Sequence, residues 1–324
     1  MSRTSNSPRL PVTVLLAAKN EQANLPRCLA ALAPVERVVV LDSHSTDRTQ
    51  AIAAEHGADV VQFSYAGGYP KKRQWALDTL PLTSEWVLLL DADEVVPDAL
   101  WTEIAEAIQT DNAPDAFLIT KGFHFLGRRF HFGGFSHSAV LLFRRGRARF
   151  EHLMDDPANA QDMEVHERLV VEGCIGRLMT PLIHEDFKGL QAYIERHNHY
   201  STWEARLRNG YLRDGSYGRS TIQPRLFGNA QERRRFLKLI AVRAPGEPLW
   251  WFLYHYIFRL GFLEGRPGLI ASQIRASYIA QARAKCFELG LKTRRSAAPA
   301  AAASTNGARR NTPTTAEPAS TLAP

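Results

Sequence analysis

Apolar residues along the chain fall into short unbroken runs that alternate with stretches of helical period. Val12 to Ala18 is rich in β-branched residues and ends in Lys19-Asn20-Glu21; after it, Leu25, Cys28, Leu29 and Leu32 share one helical face. That pattern predicts strand, loop and helix. It repeats at once, with a strand over Arg37 to Leu41 closing on Asp42, a polar cap Ser43-His44-Ser45-Thr46-Asp47, a helix from about Arg48 to His56, and Gly57 as its stop. A third strand is predicted over Asp59 to Phe63, a loop at Gly67-Gly68 and a helix over Pro70 to Leu80. Then comes Trp86-Val87-Leu88-Leu89-Leu90, a run without polar alternation that stops abruptly in Asp91-Ala92-Asp93-Glu94. Such a run reads as a strand buried on both faces. Strand and helix units joined by short links specify an α/β fold, a mostly parallel sheet flanked by helices.

The consequence is geometric. Lys19-Asn20-Glu21, Asp42 and Asp91-Ala92-Asp93 each follow the carboxyl end of a strand, so distant positions converge on the sheet edge where α/β proteins bind ligands. In extended backbone Asp91 and Asp93 leave the same face, and their repulsion would raise one pKa unless a cation lay between them. A divalent metal is the simplest cure. The alternative is capping, with Asp93 or Glu94 opening the helix that begins near Pro97. No Gly-x-Gly-x-x-Gly follows these strands and no P-loop occurs, which removes the main signatures of dinucleotide and P-loop enzymes.

Composition adds limits. The 324 residues, 45% hydrophobic and 23% charged, are ample for a large core. Lys plus Arg at 40 against Asp plus Glu at 33 leaves a net charge of +7, which favours anionic partners without pointing to nucleic acid. Cys28, Cys174 and Cys286 lie far apart and form neither a zinc spacing nor a disulfide framework, which fits a reducing cytoplasm. Met1 to Leu10 has no signal-like apolar core, and no stretch supplies the roughly 20 apolar residues needed to span a bilayer.

Residues 122 to 150 combine Phe, Gly, His and Arg, a composition that builds an ordinary hairpin, with aromatic faces at its rim for some ligand contact. Met154 to Met163 reads as a loop over the site. A strand is expected over Arg168 to Val171. From Leu190 onward the pattern is helical, over Tyr193 to Leu207, Glu232 to Val242 and Leu269 to Leu289. Between these lies Leu249 to Leu260, too short to span and dense in Trp, Tyr and Phe, with Arg233-Arg234-Arg235, Lys238 and Arg243 before it. Basic residues beside such a helix suit an anionic membrane interface; packing on the sheet or on a sister subunit is the alternative. Gly265-Arg266-Pro267-Gly268 is a break, and beyond Lys292 the Ala/Pro/Thr/Ser-rich tail has no period and is expected to be disordered.

Three motifs, in order, resemble glycosyltransferase family 2, the inverting, metal-dependent enzymes of the nucleotide-sugar-binding GT-A fold. Val14-Leu15-Leu16-Ala17-Ala18-Lys19-Asn20-Glu21 is similar to the family's opening strand and loop, Leu41-Asp42-Ser43-His44-Ser45-Thr46-Asp47-Arg48-Thr49 to its Asp-x-x-Ser-x-Asp-x-Thr segment, and Asp91-Ala92-Asp93-Glu94 to its Asp-x-Asp. Val165-His166-Glu167, Pro181-Leu182-Ile183-His184 and Gly261-Phe262-Leu263-Glu264-Gly265 resemble the bacterial branch that extends lipopolysaccharide core and other envelope polysaccharides. The resemblance spans about residues 12 to 290. It implies a GT-A catalytic domain over 11–215, a helical, membrane-associated extension over 216–291, and disordered termini over 1–10 and 292–324.

The resemblance also implies roles. Asp91 and Asp93, with His184, would hold Mg²⁺ or Mn²⁺ against the diphosphate leaving group, Asp93 being the more direct ligand. Ala17, Asn20, Glu21, Asp42, Lys72, Arg73, Asp91 and Ala92 would line the nucleotide-sugar pocket, Asp42 at the base or ribose, with helix capping as its alternative role. Asp47 and Glu94 read as structural. Arg73-Gln74-Trp75-Ala76-Leu77 is similar to the family's Arg-Asn-Trp-Ala-Leu, with Gln74 replacing Asn. A guanidinium at Arg73 suits diphosphate oxygens. Glu167 is the favoured base for the acceptor hydroxyl, with Glu185 and Asp186 as alternatives. The implied partners are a nucleotide-diphosphate sugar, UDP-sugar favoured, a lipid-linked or glycan acceptor and an anionic membrane surface, with no nucleic acid. The implied place is the cytoplasmic face of a bacterial inner membrane, held peripherally. A sugar nucleotidyltransferase lacks its Gly-rich loop between Ala17 and Leu25, and a non-catalytic membrane scaffold would not need Asp91, Asp93 and Glu167.

Overall fold

A computed structural model describes residues 9–153, 162, 164, 167–215, 218–219, 223–228 and 230–297. The first four apolar runs form β1 (Leu10–Ala18), β2 (Val35–Asp42), β3 (Asp59–Gln62) and β4 (Trp86–Asp91), with α1 (Leu25–Ala30), α2 (Thr49–Glu55) and α3 (Lys72–Thr79) between them. A two-residue strand β5 (Glu94–Val95) follows, then α4 (Asp98–Ile108), which turns Leu100, Trp101, Ile104 and Ile108 inward at helical spacing. Next come β6 (Ala116–Phe125), β7 (Arg128–Arg129), β8 (His137–Arg144), β9 (Ala148–Phe150), β10 (Leu169–Val171), β11 (Ile175–Arg177) and β12 (Leu182–His184).

The main sheet runs β3-β2-β1-β4-β8-β6-β12-β5, with β7 and β11 also paired to β6. Its first four strands are parallel, as the strand and helix repeats require. The other half is mixed: β8 is antiparallel to β4 and β6, while β12 is parallel to β6 and antiparallel to β5. The hairpin expected within 122–150 joins β6 to β7 through Leu126 and Gly127, both at positive φ (50° and 72°), the backbone a two-residue hairpin turn demands. The core lies in the middle strands, where Val14, Leu15, Leu16, Leu88 and Leu90 are fully buried and each contributes about 1.5–3 kcal/mol by leaving water.

Helices α5 (Gly189–Asp214), α6 (Ala230–Arg243), α7 (Glu247–Leu253) and α8 (Gly265–Ala297) form the C-terminal layer; α7 runs into a widened turn at Tyr254–Phe258 and a tight one at Gly261–Glu264. Helix α8 continues past Lys292. A buried charge network ties the layer together: Arg208 donates to Glu204 on its own helix (2.8 Å) and to Glu247 of α7 (2.7 Å), and Lys238 of α6 pairs with Glu204 (2.9 Å). No helix of the described residues is long and apolar enough to cross a membrane.

Candidate active site

Register explains why separated residues meet. β1 lies between β2 and β4, with Ala17 opposite both Leu41 and Asp91 and Ala18 opposite Asp42, so these positions share one sheet edge. At the neighbouring corner β5 pairs with β12, placing His184 opposite Glu94, and the Glu185 N–H donates to the Asp93 carbonyl at 3.0 Å. That pairing brings His184 Nε2 within 3.4 Å of Asp93 Oδ2. Glu94 is fully buried and accepts the Asp91 N–H at 2.9 Å. Neither Asp93 nor Glu94 caps α4, which begins at Asp98 after Pro97.

Asp91 is engaged differently from the expectation. Its Oδ1 takes Arg73 Nη2 at 2.5 Å and its Oδ2 takes Lys121 Nζ at 2.9 Å, while Lys121 also lies 2.5 Å from Glu94 Oε1. Burial opposes ionisation of Asp91, but Arg73 and Lys121 outweigh it and hold the carboxyl well below the usual range. Burial likewise works against charge on Lys121, and Asp91 and Glu94 reverse it, raising its pKa. Burial raises the pKa of Glu94. With both oxygens committed to cations, Asp91 is not free to act as a metal ligand in this arrangement; it anchors the two positive groups.

Lys121 carries no motif, and only its interruption of the apolar strand Ala-Phe-Leu-Ile-Thr-Lys-Gly-Phe hints at it. Removing one partner from a buried charge cluster costs about 3–5 kcal/mol, so Lys121→Met is expected to lower unfolding stability by about that much at neutral pH, read as a fall in the urea midpoint. The deficit should narrow in acid, as Glu94 takes up a proton.

The loops after β1 and β2 are stitched to each other. Asn20, at φ 53°, donates its N–H to Ser45 Oγ and accepts the Thr46 N–H, both at 2.8 Å. The Glu21 N–H donates to Thr49 Oγ1 (2.8 Å), and its carboxylate takes Lys188 Nζ (2.6 Å) and Asn24 Nδ2 (2.9 Å). Burial raises the Glu21 pKa against the pull of Lys188. Asp42 is fully buried; it accepts from the Ser45 hydroxyl, the Ser45 N–H (3.0 Å) and the side-chain amides of Gln50 (3.0 Å) and Gln62 (3.1 Å), so it ties the loop to its neighbours and does not cap α2, whose N-cap is Arg48. Asp47 accepts the N–H groups of Gln22 (3.1 Å) and Thr49 (2.9 Å) and is structural. Ala17 and Ala92 are buried at the same edge.

The first turn of α3 has no cap of its own. Glu164 supplies one from a distance, accepting the N–H groups of Arg73 (3.2 Å) and Gln74 (3.0 Å), and the Lys72 N–H donates to the Asp162 carbonyl (2.9 Å). Lys72 Nζ reaches Ala18 O and Asp162 Oδ2, each at 3.1 Å, and burial lowers its pKa despite Asp162. Gln74 accepts the Phe150 N–H at 2.8 Å, a framework contact. Glu167 pairs with Lys71 at 2.7 Å, both side chains about 5% exposed or less, and Lys71 lies 5.4 Å from the Trp203 ring. Val165, His166 and most of the Met154 to Met163 loop fall outside the described residues. Of the alternative bases, Glu185 pairs with Arg27 (2.9 Å), and Asp186 takes Arg196 (2.7 Å) and Asn24 (2.9 Å).

Asp93 and His184 offer one carboxylate and one imidazole. That donor set suits Mg²⁺ or Mn²⁺ arriving with a nucleotide, since such ions complete their shells with phosphate oxygens and water. Among the described residues no group of three or more His, Cys, Asp or Glu converges to form a self-sufficient cage. Burial works against charge on both groups, yet their mutual attraction prevails, lowering the Asp93 pKa and raising that of His184. Phe123 stands edge-on to His184 at 6.4 Å, so the aromatic hairpin borders the same corner.

Comparison with known proteins agrees with the motifs. Residues 13–156 match the profile of the family described as Glycosyl transferase family 2. The lipopolysaccharide core biosynthesis glycosyltransferase LpsC of Rhizobium meliloti (strain 1021) is 26% identical over 288 residues, covering 87% of this chain and 93% of its own. A TPR repeat-containing protein of Synechococcus elongatus is 36% identical over 110 residues, 34% of this chain and 26% of that protein. The crystal structure of glucosyl-3-phosphoglycerate synthase from Mycobacterium tuberculosis with Mn²⁺, UDP and glucosyl-3-phosphoglycerate is 27% identical, covers 37% of this chain and 46% of that one, and superposes with a TM-score of 0.29.

Proposed function

We propose that the chain is an inverting, metal-dependent glycosyltransferase that moves a hexose from a nucleotide-diphosphate sugar, UDP-sugar favoured, to a lipid-linked or polysaccharide acceptor of the bacterial envelope. The observation that carries this reading is the Asp93–His184 pair, 3.4 Å apart, at the corner where Arg73 and Lys121 meet on Asp91. Asp93 and His184 would hold Mg²⁺ or Mn²⁺, and the ion when bound would stabilise the negative charge on the departing diphosphate. Arg73 and Lys72 add positive charge on the same side. Asn20, Glu21 and Asp42 shape the wall against which the nucleoside lies, with Ala17 and Ala92 leaving room at the edge.

Glu167 takes the proton of the acceptor hydroxyl as that oxygen attacks from the face opposite the leaving group, giving a β-linkage from an α-linked donor. Lys71 orients its carboxylate. Glu185 and Asp186 are the alternative bases, each already paired with an arginine. The name of the Rhizobium relative supports an acceptor in lipopolysaccharide core synthesis.

Residues 11–215 would form the catalytic unit and 216–291 the membrane-associated extension, placing the enzyme peripherally on the cytoplasmic face of the inner membrane. Support comes from Leu249, Trp250 and Phe258, which are 60%, 59% and 71% exposed, with Arg259 and Arg266 exposed beside them. Each cation near an anionic bilayer contributes about 1 kcal/mol. Calorimetric titration with UDP is expected to give binding that strengthens when Mn²⁺ is present; no heat with UDP, GDP or CMP, with or without the ion, would count against a nucleotide-sugar enzyme.

A further inference from the structure

The string Gly261-Phe262-Leu263-Glu264-Gly265 takes no part in the transfer chemistry, yet the Glu264 side chain is only 1% exposed. Its Oε1 accepts the N–H groups of His131 and Phe132, both at 2.7 Å, and its Oε2 accepts Arg128 Nε at 2.7 Å. A carboxylate receiving two backbone amides and a guanidinium fixes a loop firmly. That loop follows the β6–β7 hairpin. It is held a second time, since the Gly133 N–H donates to Arg259 O at 2.7 Å and His255 Nδ1 donates to Gly133 O at 2.6 Å. The His255 ring stacks between Phe135 (4.7 Å) and Trp251 (5.5 Å). Glycines permit the close approach: a Cβ on Gly261 would lie 2.6 Å from His255 O, and one on Gly268 would lie 2.0 Å from Gly261 O. Residues 126–135 and 249–264 are therefore one rigid joint.

The joint presents apolar and cationic groups together. Leu126 and Phe132 on the loop are 50% and 42% exposed, and Trp250, Phe258 and Phe262 on the helical side are 59%, 71% and 44% exposed. Arg128, Arg129 and Arg259 are exposed among them, and the sole acid of 126–135 and 249–264 is Glu264, buried and paired. Arg128 is partly neutralised by Glu264, but Arg129 and Arg259 stand exposed among large apolar side chains, a combination that matches an anionic bilayer.

We propose that the hairpin loop is a second lipid-contacting element, locked by Glu264 and His255 to the helical one, so that the two meet an anionic bilayer as a single surface. This rests on the membrane partner proposed above and deepens it. The strand leading into the loop carries Phe123 against His184, so a bilayer on this surface would bring a lipid-borne acceptor to the metal corner.

Flotation of the full chain with vesicles of phosphatidylglycerol and phosphatidylethanolamine, against phosphatidylcholine alone, tests it. Wild type should float with the anionic vesicles, and both Trp250→Asp and the double variant Leu126→Asp/Phe132→Asp should lose binding about tenfold. Glu264→Gln should raise deuterium uptake at amides 131 and 132 and weaken flotation. If Trp250→Asp loses binding while the loop variant floats like wild type, the inference is overturned and the membrane reading survives. Absence of wild-type flotation overturns both, leaving nucleotide binding and sugar transfer to be judged by their own assays. A wild-type dimer that the loop variant converts to monomer, with flotation unchanged, would make the surface a self-interface instead.

Discussion

Asp93→Ala is expected to slow sugar transfer by about 10²–10⁴-fold while leaving the urea midpoint near that of the parent. A bound metal supplies several kcal/mol to the leaving-group charge, and each 1.36 kcal/mol is tenfold in rate. The side chain is 12% exposed and meets His184 at 3.4 Å, a contact that an ion would replace. On the proposed reading its loss would remove a ligand more than a structural support. Asp91→Ala should behave differently, because it strips a shared partner from Arg73 and Lys121 and so costs folding stability as well as activity. The Mn²⁺ dependence of UDP binding, followed calorimetrically, should vanish in Asp93→Ala. Turnover within about threefold of the parent would sink the catalytic assignment and favour a scaffold.

Unequal fates of the two aspartates show where sequence reasoning reaches its limit. Strand β4 was legible because five apolar residues without alternation admit little else, and the repeat of strand, loop and helix forced Ala18, Asp42 and Asp91 to one edge. The inference that Asp91 and Asp93 share a face assumed extended backbone through both. The strand ends at Asp91 and the chain turns at Ala92 and Asp93, so the side chains part company: one meets Arg73 and Lys121, the other His184. Local period carries no information about such a turn. Lys121 and Arg196 were invisible for a related reason, since their roles come from pairings of β6, β12 and α5 that join positions far apart in the chain. Asp42 lay between: its position was readable, but its four donors come from Ser45 in the following loop, Gln50 of α2 and Gln62 of β3. In the sequence Glu264 stands out only as part of the string Gly261 to Gly265; its role as the loop's anchor arises from contacts with His131 and Phe132, more than 130 positions away.

Glu167→Gln is expected to lower kcat by about 10²–10⁴-fold with little change in the KM for the donor, the range typical of removing a general base. The amide is nearly isosteric and still accepts from Lys71, which at 2.7 Å holds the carboxylate in place, so the fold should survive the change. It removes the negative charge that faces Lys71 at 2.7 Å in a nearly closed setting, a cost of about 3–5 kcal/mol. Unfolding measurements must therefore accompany the kinetics. Lys71→Met separates the two effects: if the carboxylate alone does the chemistry, this variant loses stability and positioning but less rate than Glu167→Gln. Affinity for UDP and Mn²⁺ should remain in both, because neither residue touches Asp93 or His184 among the contacts described. Glu185→Gln, by contrast, weakens only the link to Arg27 and should stay within about tenfold of the parent. The opposite ranking, with Glu185→Gln inert and Glu167→Gln active, would move the base to the β12 end of the site, one residue from the metal-side histidine, where a single short segment would then serve both leaving group and nucleophile.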